Sequence, residues 1–128
     1  MAWVDLIIVL ALIQYLSCTI LVGRARRKYD IKAPATTGHE IFERFYRVQM
    51  NTLELLVVFI PALWLAAKYW SPIWMGSIGA IYIIGRVIYL MAYIKNPTNR
   101  AIGFSLSMMS IVILILAALT GLIMASNT

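Results

Sequence analysis

The sequence predicts an all-α fold: an integral membrane four-helix bundle whose helices run up, down, up and down. Hydrophobic residues make up 62% of its 128 residues and charged residues only 12%. A typical soluble domain has about 45–50% apolar residues and about 25% charged residues. Apolar runs of about 20 residues, the length that crosses a bilayer, recur four times with short links between them. Short links place consecutive helices antiparallel, so residues 1–128 form a single predicted transmembrane domain.

The predicted spans cover about residues 3–23, 40–69, 72–94 and 99–124. The first apolar run has no basic leader and is followed by the basic cluster Arg24–Lys28. A secretory signal peptide has the opposite arrangement, with the basic residues first. We therefore interpret the first run as a retained transmembrane helix.

Turn and breaker residues set the boundaries of the later spans. Pro61 lies inside the second span, where proline removes a backbone hydrogen bond and is expected to kink the helix. Ser71 followed by Pro72 is typical of a helix start and opens the third span. Asn96 or Thr98 is expected to cap the fourth helix with its side-chain oxygen.

The net charge of +6 is concentrated in the first and third links, which argues against nucleic acid as a partner. Cytoplasmic links of membrane proteins are enriched in lysine and arginine. The first and third links are therefore predicted to be cytoplasmic, with both termini on the opposite side. The short tails, which lack an endoplasmic-reticulum retention signal, favour a bacterial inner membrane.

Cysteine and histidine are too scarce for metal chemistry. Cys18 is the only cysteine and His39 the only histidine, so neither an intramolecular disulfide nor a metal site is expected. Cys18 is interpreted as a small core residue and His39 as a residue of the first link.

Charged and amide side chains at the start of the second span fall on two faces of the helix. At 100° per residue, Asn51 lies about 40° and Glu54 about 20° from Arg47. Gln49 lies about 160° from Arg47. Polar side chains at membrane depth need polar partners, so two opposed polar faces indicate contacts with different subunits.

The third span carries a second polar stripe. Tyr82, Arg86, Tyr89 and Tyr93 recur every three or four residues and so lie within about 60° of one another. Tyr93 taken alone is more typical of the aromatic belt at a membrane interface, but the whole stripe is not. Arg100, at the start of the fourth span, is expected to lie beside Tyr93.

These groups together favour a small zwitterionic ligand. Guanidinium groups bind carboxylates through two parallel hydrogen bonds, Glu54 suits an ammonium group, and Gln49 and Asn51 suit amides. Glutathione has two carboxylates, an ammonium group and two amides, and therefore fits. Because the site adjoins lipid, its second substrate is expected to be apolar. For Arg26, Arg27 and Lys28 the alternative role is topology and contact with anionic lipid.

The motifs resemble those of a known family, the membrane-associated proteins in eicosanoid and glutathione metabolism (MAPEG), in the branch of glutathione transferases and leukotriene synthase. The resemblance rests on residues 25–27, Ala-Arg-Arg, and 36–38, Thr-Thr-Gly. Residues 43–54 follow the pattern Glu-Arg-x-x-Arg-x-Gln-x-Asn-x-x-Glu, residues 86–93 follow Arg-x-x-Tyr-x-x-x-Tyr, and Arg100 comes after them.

The resemblance implies a homotrimer with glutathione sites between subunits on the cytoplasmic side. One subunit would supply Arg47, Asn51, Glu54, Tyr89 and Tyr93. Its neighbour would supply Arg26 and Gln49. Arg100, together with Tyr93, would be catalytic, because a thiol of pKa near 8.5 needs a nearby cation to ionise at neutral pH.

The implied activity is that of a membrane-bound glutathione transferase acting on lipophilic electrophiles, with glutathione peroxidase activity towards lipid hydroperoxides as a further expectation. Leu55 departs from the family, since glutathione-using members have a tyrosine there. An alternative is a non-enzymatic lipid-binding protein resembling the 5-lipoxygenase-activating protein, but that branch lacks arginines matching Arg47 and Arg100. A transporter is disfavoured because no span is interrupted in a repeated, symmetric way.

Overall fold

The computed structural model describes all 128 residues and contains helices without strands. The long helices are α1 (Ala2–Tyr29), α2 (Glu40–Tyr69), α3 (Pro72–Lys95) and α4 (Ala101–Ser126), with a 3₁₀ turn (Pro97–Asn99) before α4. All four are long and apolar enough to cross a membrane. The predicted all-α membrane fold is therefore confirmed, and its links are as short as predicted.

The helices surround a main apolar core, and two smaller buried clusters lie apart from it. The rings of Phe59 from α2 and Tyr82 from α3 stack at its centre, 3.8 Å apart. Leu63 and Leu114 are fully buried beside them. Many large apolar side chains on the outside remain exposed, as expected for a surface that faces lipid.

Helices α3 and α4 approach most closely where glycines face each other. A Cβ atom on Gly103 would lie 2.6 Å from the Cα atom of Tyr89, and one on Gly85 would lie 2.7 Å from Ser107 Oγ. Both distances are too short for any side chain. The contact fixes the start of α4 against the part of α3 that carries Tyr89.

Helix α1 is longer than predicted, because it continues through the basic cluster to Tyr29. Asp30 then adopts a left-handed conformation with φ of 53°, and the Ile31 N–H donates to the Arg26 carbonyl at 2.9 Å. Basic side chains in a last turn interact favourably with the negative end of the helix dipole. The drop in hydropathy at Arg24 therefore does not mark the end of the helix.

The predicted cap of α4 is wrong. Asn96 Oδ1 accepts a hydrogen bond from the Thr98 N–H at 3.1 Å and so caps the 3₁₀ turn, while neither Asn96 nor Thr98 caps α4. The extra turn moves the start of α4 to Ala101. Pro72 does open α3, as predicted, although the Ser71 side chain makes no capping bond, and α2 continues through Pro61.

His39 has a structural role that its position in the first link did not suggest. Its Nδ1 atom accepts a hydrogen bond from the Ile41 N–H at 3.1 Å and caps α2. Its ring also stacks on Tyr29, with 3.7 Å between centroids. His39 therefore ties the end of α1 to the start of α2.

Candidate functional site

The main cavity of the candidate site lies between α2, α3 and the start of α4. It has a volume of about 500 Å³. Arg47, Asn51, Tyr89 and Arg100, all predicted site residues, line it together with Thr98, Ala101, Phe104 and Ser105. We call this cavity the arginine groove. Residues that the sequence spacing predicts to share helix faces thus line one cavity.

Arg47 and Glu54 form an ion pair along α2, on either side of Asn51. Arg47 Nη1 lies 3.5 Å from Glu54 Oε1, and the side chains are 53% and 58% exposed. Ion pairs this exposed contribute at most about 1 kcal/mol. The pair can therefore exchange readily for ligand groups of matching charge.

Tyr89 and Tyr93 form an aromatic pair on α3, with ring centroids 5.4 Å apart. Tyr89 is buried and Tyr93 is half-buried. Tyr93 and Arg47 also line a second, polar cavity of about 450 Å³. The other residues of this cavity include Thr36, Glu40, Glu43 and Arg44. Arg47 therefore lies between the arginine groove and this second cavity.

Arg86 supports the arginine groove from inside the bundle. Only 2% of it is exposed, and its Nη1 atom donates to Asn51 Oδ1 at 2.7 Å, while Nε donates to Ser107 Oγ at 2.9 Å. The guanidinium also lies 4.4 Å from the centroid of the Tyr89 ring. No carboxylate pairs with it, so this buried cation is held by neutral oxygens and an aromatic face.

Arg44 fixes the end of α3 next to the site. Its Nη1 atom donates to the carbonyl oxygens of Ile94 at 2.7 Å and Lys95 at 3.1 Å, and its other guanidinium nitrogen pairs with Glu40. Cations at a helix C-terminus satisfy carbonyls that have no partner in the helix. The segment between Tyr93 and Arg100 is thereby anchored to the start of α2.

Two predicted site residues lie away from the arginine groove. Gln49 Nε2 donates to Thr19 Oγ1 of α1 at 3.0 Å. Arg26 Nη1 donates to the Ala35 carbonyl at 2.7 Å, and its guanidinium lies 4.9 Å from the Phe42 ring centroid. A single chain therefore does not bring them to Arg47. The family resemblance implies that both come from a neighbouring subunit.

The arginine groove is suited to binding an organic anion. Two guanidinium groups, from Arg47 and Arg100, line it, and Glu54 is the only carboxylate paired with either of them. No group of three or more His, Cys, Asp or Glu side chains in the chain could hold a metal ion. The chemistry available in the groove is charge pairing, amide hydrogen bonding and stabilisation of a negative atom.

Sequence reasoning placed Arg86 on the tyrosine stripe but gave it no part in the site, and it missed the anchoring role of Arg44. Both residues act across helices, on Asn51 and on the end of α3. The signal that could have identified Arg86 is its position: an arginine in the middle of an apolar span must find buried partners.

Comparison with known proteins agrees with this architecture. The family model of the MAPEG family matches residues 4–120. The chain is an integral, multi-pass membrane protein, and it belongs to the MAPEG family.

Its relatives include proteins with named activities. Human microsomal glutathione S-transferase 2 is 38% identical over 79% of this chain and 69% of the relative. Leukotriene C4 synthase of Cavia porcellus is 32% identical over 82% of this chain and 70% of the relative. An uncharacterised protein of Synechocystis is 46% identical over 94% of this chain and 88% of the relative.

Proposed function

We propose that this chain is a membrane-bound glutathione transferase that attacks lipophilic electrophiles with the glutathione thiolate. The observation that carries the proposal is the convergence of Arg47, Asn51, Tyr89 and Arg100 on one groove. The relatives named as a glutathione S-transferase and as leukotriene C4 synthase support it.

Glutathione binds, in this proposal, by exchanging partners with the Arg47–Glu54 ion pair. A glutathione carboxylate pairs with Arg47, and the released Glu54 carboxylate accepts the glutathione ammonium group. Little free energy is lost in the exchange, because the pair is half-exposed and exposed ion pairs contribute little to stability. Asn51 offers its amide nitrogen to the peptide backbone of the ligand, since Arg86 already occupies its oxygen.

Arg100 stabilises the thiolate. Arg100 directly precedes α4 and lines the arginine groove together with Phe104. A nearby positive charge favours the ionised form of a thiol and lowers its pKa, so more of the sulfur is present as thiolate at neutral pH. Tyr93 supplies a phenol hydroxyl that donates to the same sulfur. The thiolate then forms a bond to the electrophilic carbon while the leaving group departs with its electron pair.

Lipid hydroperoxides are the second class of acceptor for this thiolate. The sulfur attacks the terminal peroxide oxygen, and the lipid alkoxide leaves and takes a proton. A second glutathione releases the first as glutathione disulfide, so one hydroperoxide and two glutathione molecules give one alcohol, one disulfide and one water. The same residues serve both reactions because both begin with the thiolate.

The complete site lies, in this proposal, between subunits of a homotrimer. Arg26 and Gln49 of one subunit add a carboxylate partner and an amide to the arginine groove of the next. The two polar faces of α2 support this arrangement, since Gln49 and Arg47 point in different directions. In this proposal the groove faces the cytoplasm of a bacterial inner membrane and both termini lie on the opposite side. The basic residues of the first and third links support this orientation.

The test is conjugation of glutathione to a halonitrobenzene by the purified protein. We expect turnover in the wild type and a loss of at least about tenfold in kcat/KM for Arg47→Ala, the loss of one charge-assisted contact. Arg27→Ala is the matched control, because Arg27 is exposed and lines neither cavity. If millimolar glutathione neither raises the melting temperature nor supports conjugation, the proposal is wrong, and the result favours the alternative of a non-enzymatic lipid-binding protein.

A further inference from the structure

A third cavity, unrelated to the arginine groove, lies between the ends of α1, α2 and α3. Its volume is about 470 Å³, and most of its lining is apolar, including Leu21 and Ala25 of α1, Ile41 and Phe45 of α2 and Ile94 of α3. Arg24 and Lys28 are its only charged residues. We call it the basic cleft. Three helices build it, so its shape does not depend on one flexible side chain.

The two cations of the basic cleft have no acidic partner. Arg24 and Lys28 lie one helical turn apart on the same side of α1, both are exposed, and neither takes part in an ion pair. Lys28 Nζ instead lies 5.5 Å from the centroid of the Tyr29 ring. Both positive charges are therefore available to an external anion.

The expected position of the basic cleft relative to the lipid bilayer indicates which kind of anion it binds. The apolar part of α1, Trp3–Val22, is about 30 Å long at 1.5 Å per residue, which equals the thickness of the hydrocarbon core of a bilayer. Arg24 and Lys28 follow it directly and so lie at the level of the lipid headgroups. Leu21 lies one turn deeper, at the level of the acyl chains.

We infer that the basic cleft binds an anionic phospholipid. The phosphate pairs with Arg24 and Lys28, and an acyl chain follows the apolar wall past Leu21 and Phe45. Charge alone would accept any anion, but the apolar wall below the cations selects one that carries a hydrocarbon chain. This site is distinct from the arginine groove and does not depend on the proposed activity.

The test is binding of phosphatidylglycerol to the delipidated protein in detergent, followed by native mass spectrometry. We expect the double variant Arg24→Gln, Lys28→Gln to bind it about thirtyfold more weakly than the wild type, from two headgroup contacts of ordinary strength. The matched control, Arg27→Gln, Lys32→Gln, removes the same charge from neighbouring exposed residues outside the cleft and is expected to bind like the wild type.

Three outcomes would overturn the inference. Equal weakening in the control pair would mean that the overall positive charge attracts the lipid. Equally tight binding of phosphatidylcholine with the same acyl chains would mean that the cations do not select the headgroup. If glycerol phosphate competed with the same affinity as the lipid, the cleft would recognise phosphate alone and its apolar wall would not contribute to binding.

Discussion

Arg86 Nη1 donates a 2.7 Å hydrogen bond to Asn51 Oδ1 and so joins the centre of α3 to the polar stripe of α2. The donor is a buried guanidinium and the acceptor lines the arginine groove. Because this bond occupies the amide oxygen, the amide NH₂ group of Asn51 is left to face the groove. The orientation of the Asn51 amide, the proposed ligand contact, therefore depends on Arg86, which does not itself contact the ligand.

Replacing Arg86 is expected to weaken glutathione binding through Asn51. Arg86→Met removes the bond that orients the amide, and a charge-assisted hydrogen bond is worth about 1.5–3 kcal/mol. We expect KM for glutathione to rise about tenfold or more, with a smaller change in kcat. Steady-state kinetics in glutathione measure both constants.

A double-mutant cycle separates this positioning role from general damage to the core. If Arg86 acts through Asn51, then Arg86→Met and Asn51→Ala are not additive in KM. Ser107→Ala is the control, since it removes another partner of Arg86 but leaves the bond to Asn51. Additive effects in the cycle would refute the positioning role.

Glu54→Gln is expected to alter binding much more than stability. The Arg47–Glu54 pair is half-exposed, so its loss changes the free energy of unfolding by less than about 1 kcal/mol. Glutathione loses the partner of its ammonium group, and we expect about tenfold weaker binding. Isothermal titration with glutathione and with its desamino analogue tests this. A variant that still prefers glutathione to the analogue as strongly as the wild type would contradict the role of Glu54.

Mixed oligomers test whether one ligand is shared by two subunits. Arg26→Ala and Arg47→Ala chains are each expected to have strongly reduced activity alone. In a mixed trimer, an intact Arg47 can meet an intact Arg26 across an interface, and random mixing at equal amounts restores roughly a quarter of the sites. Conjugation activity of co-expressed, doubly tagged protein measures the recovery. No recovery, in oligomers shown to contain both chains, would place the site within one subunit.

Gly103→Ala is expected to destabilise the protein because α3 and α4 touch at this position. The added Cβ atom would lie 2.6 Å from Tyr89 Cα, and overpacking of this kind costs about 1–3 kcal/mol. Gly23→Ala is the control, since a Cβ atom there meets nothing within 4 Å and alanine favours the helix. Thermal unfolding in detergent should show a lower melting temperature for Gly103→Ala alone. Equal melting temperatures would show that the close contact is unimportant.

The fold was predictable because four apolar runs of membrane-spanning length, joined by short links, are compatible with few folds other than a membrane four-helix bundle. The periodicity of α2 also predicted correctly that Arg47, Asn51 and Glu54 share a face. Helix ends were less predictable: hydropathy falls at Arg24, whereas the helix continues to Tyr29, because charged residues are compatible with a helix.

Contacts between helices could not be predicted from spacing. The bonds from Arg86 to Asn51 and from Arg44 to the Ile94 carbonyl depend on the rotation and offset of neighbouring helices, which the pattern of one helix does not contain. The assignment of Arg26 and Gln49 to a neighbouring subunit stays a prediction, because it concerns a contact between chains.

The central claim is that Arg100 holds glutathione as a thiolate, and the ultraviolet absorbance of the thiolate on mixing glutathione with the purified protein tests it most directly. We expect a thiolate signal with the wild type and with the control Arg27→Ala. Arg100→Ala is expected to give at least about tenfold less thiolate at neutral pH, since it removes the cation that lowers the thiol pKa. A full thiolate signal from saturated Arg100→Ala protein would contradict the account.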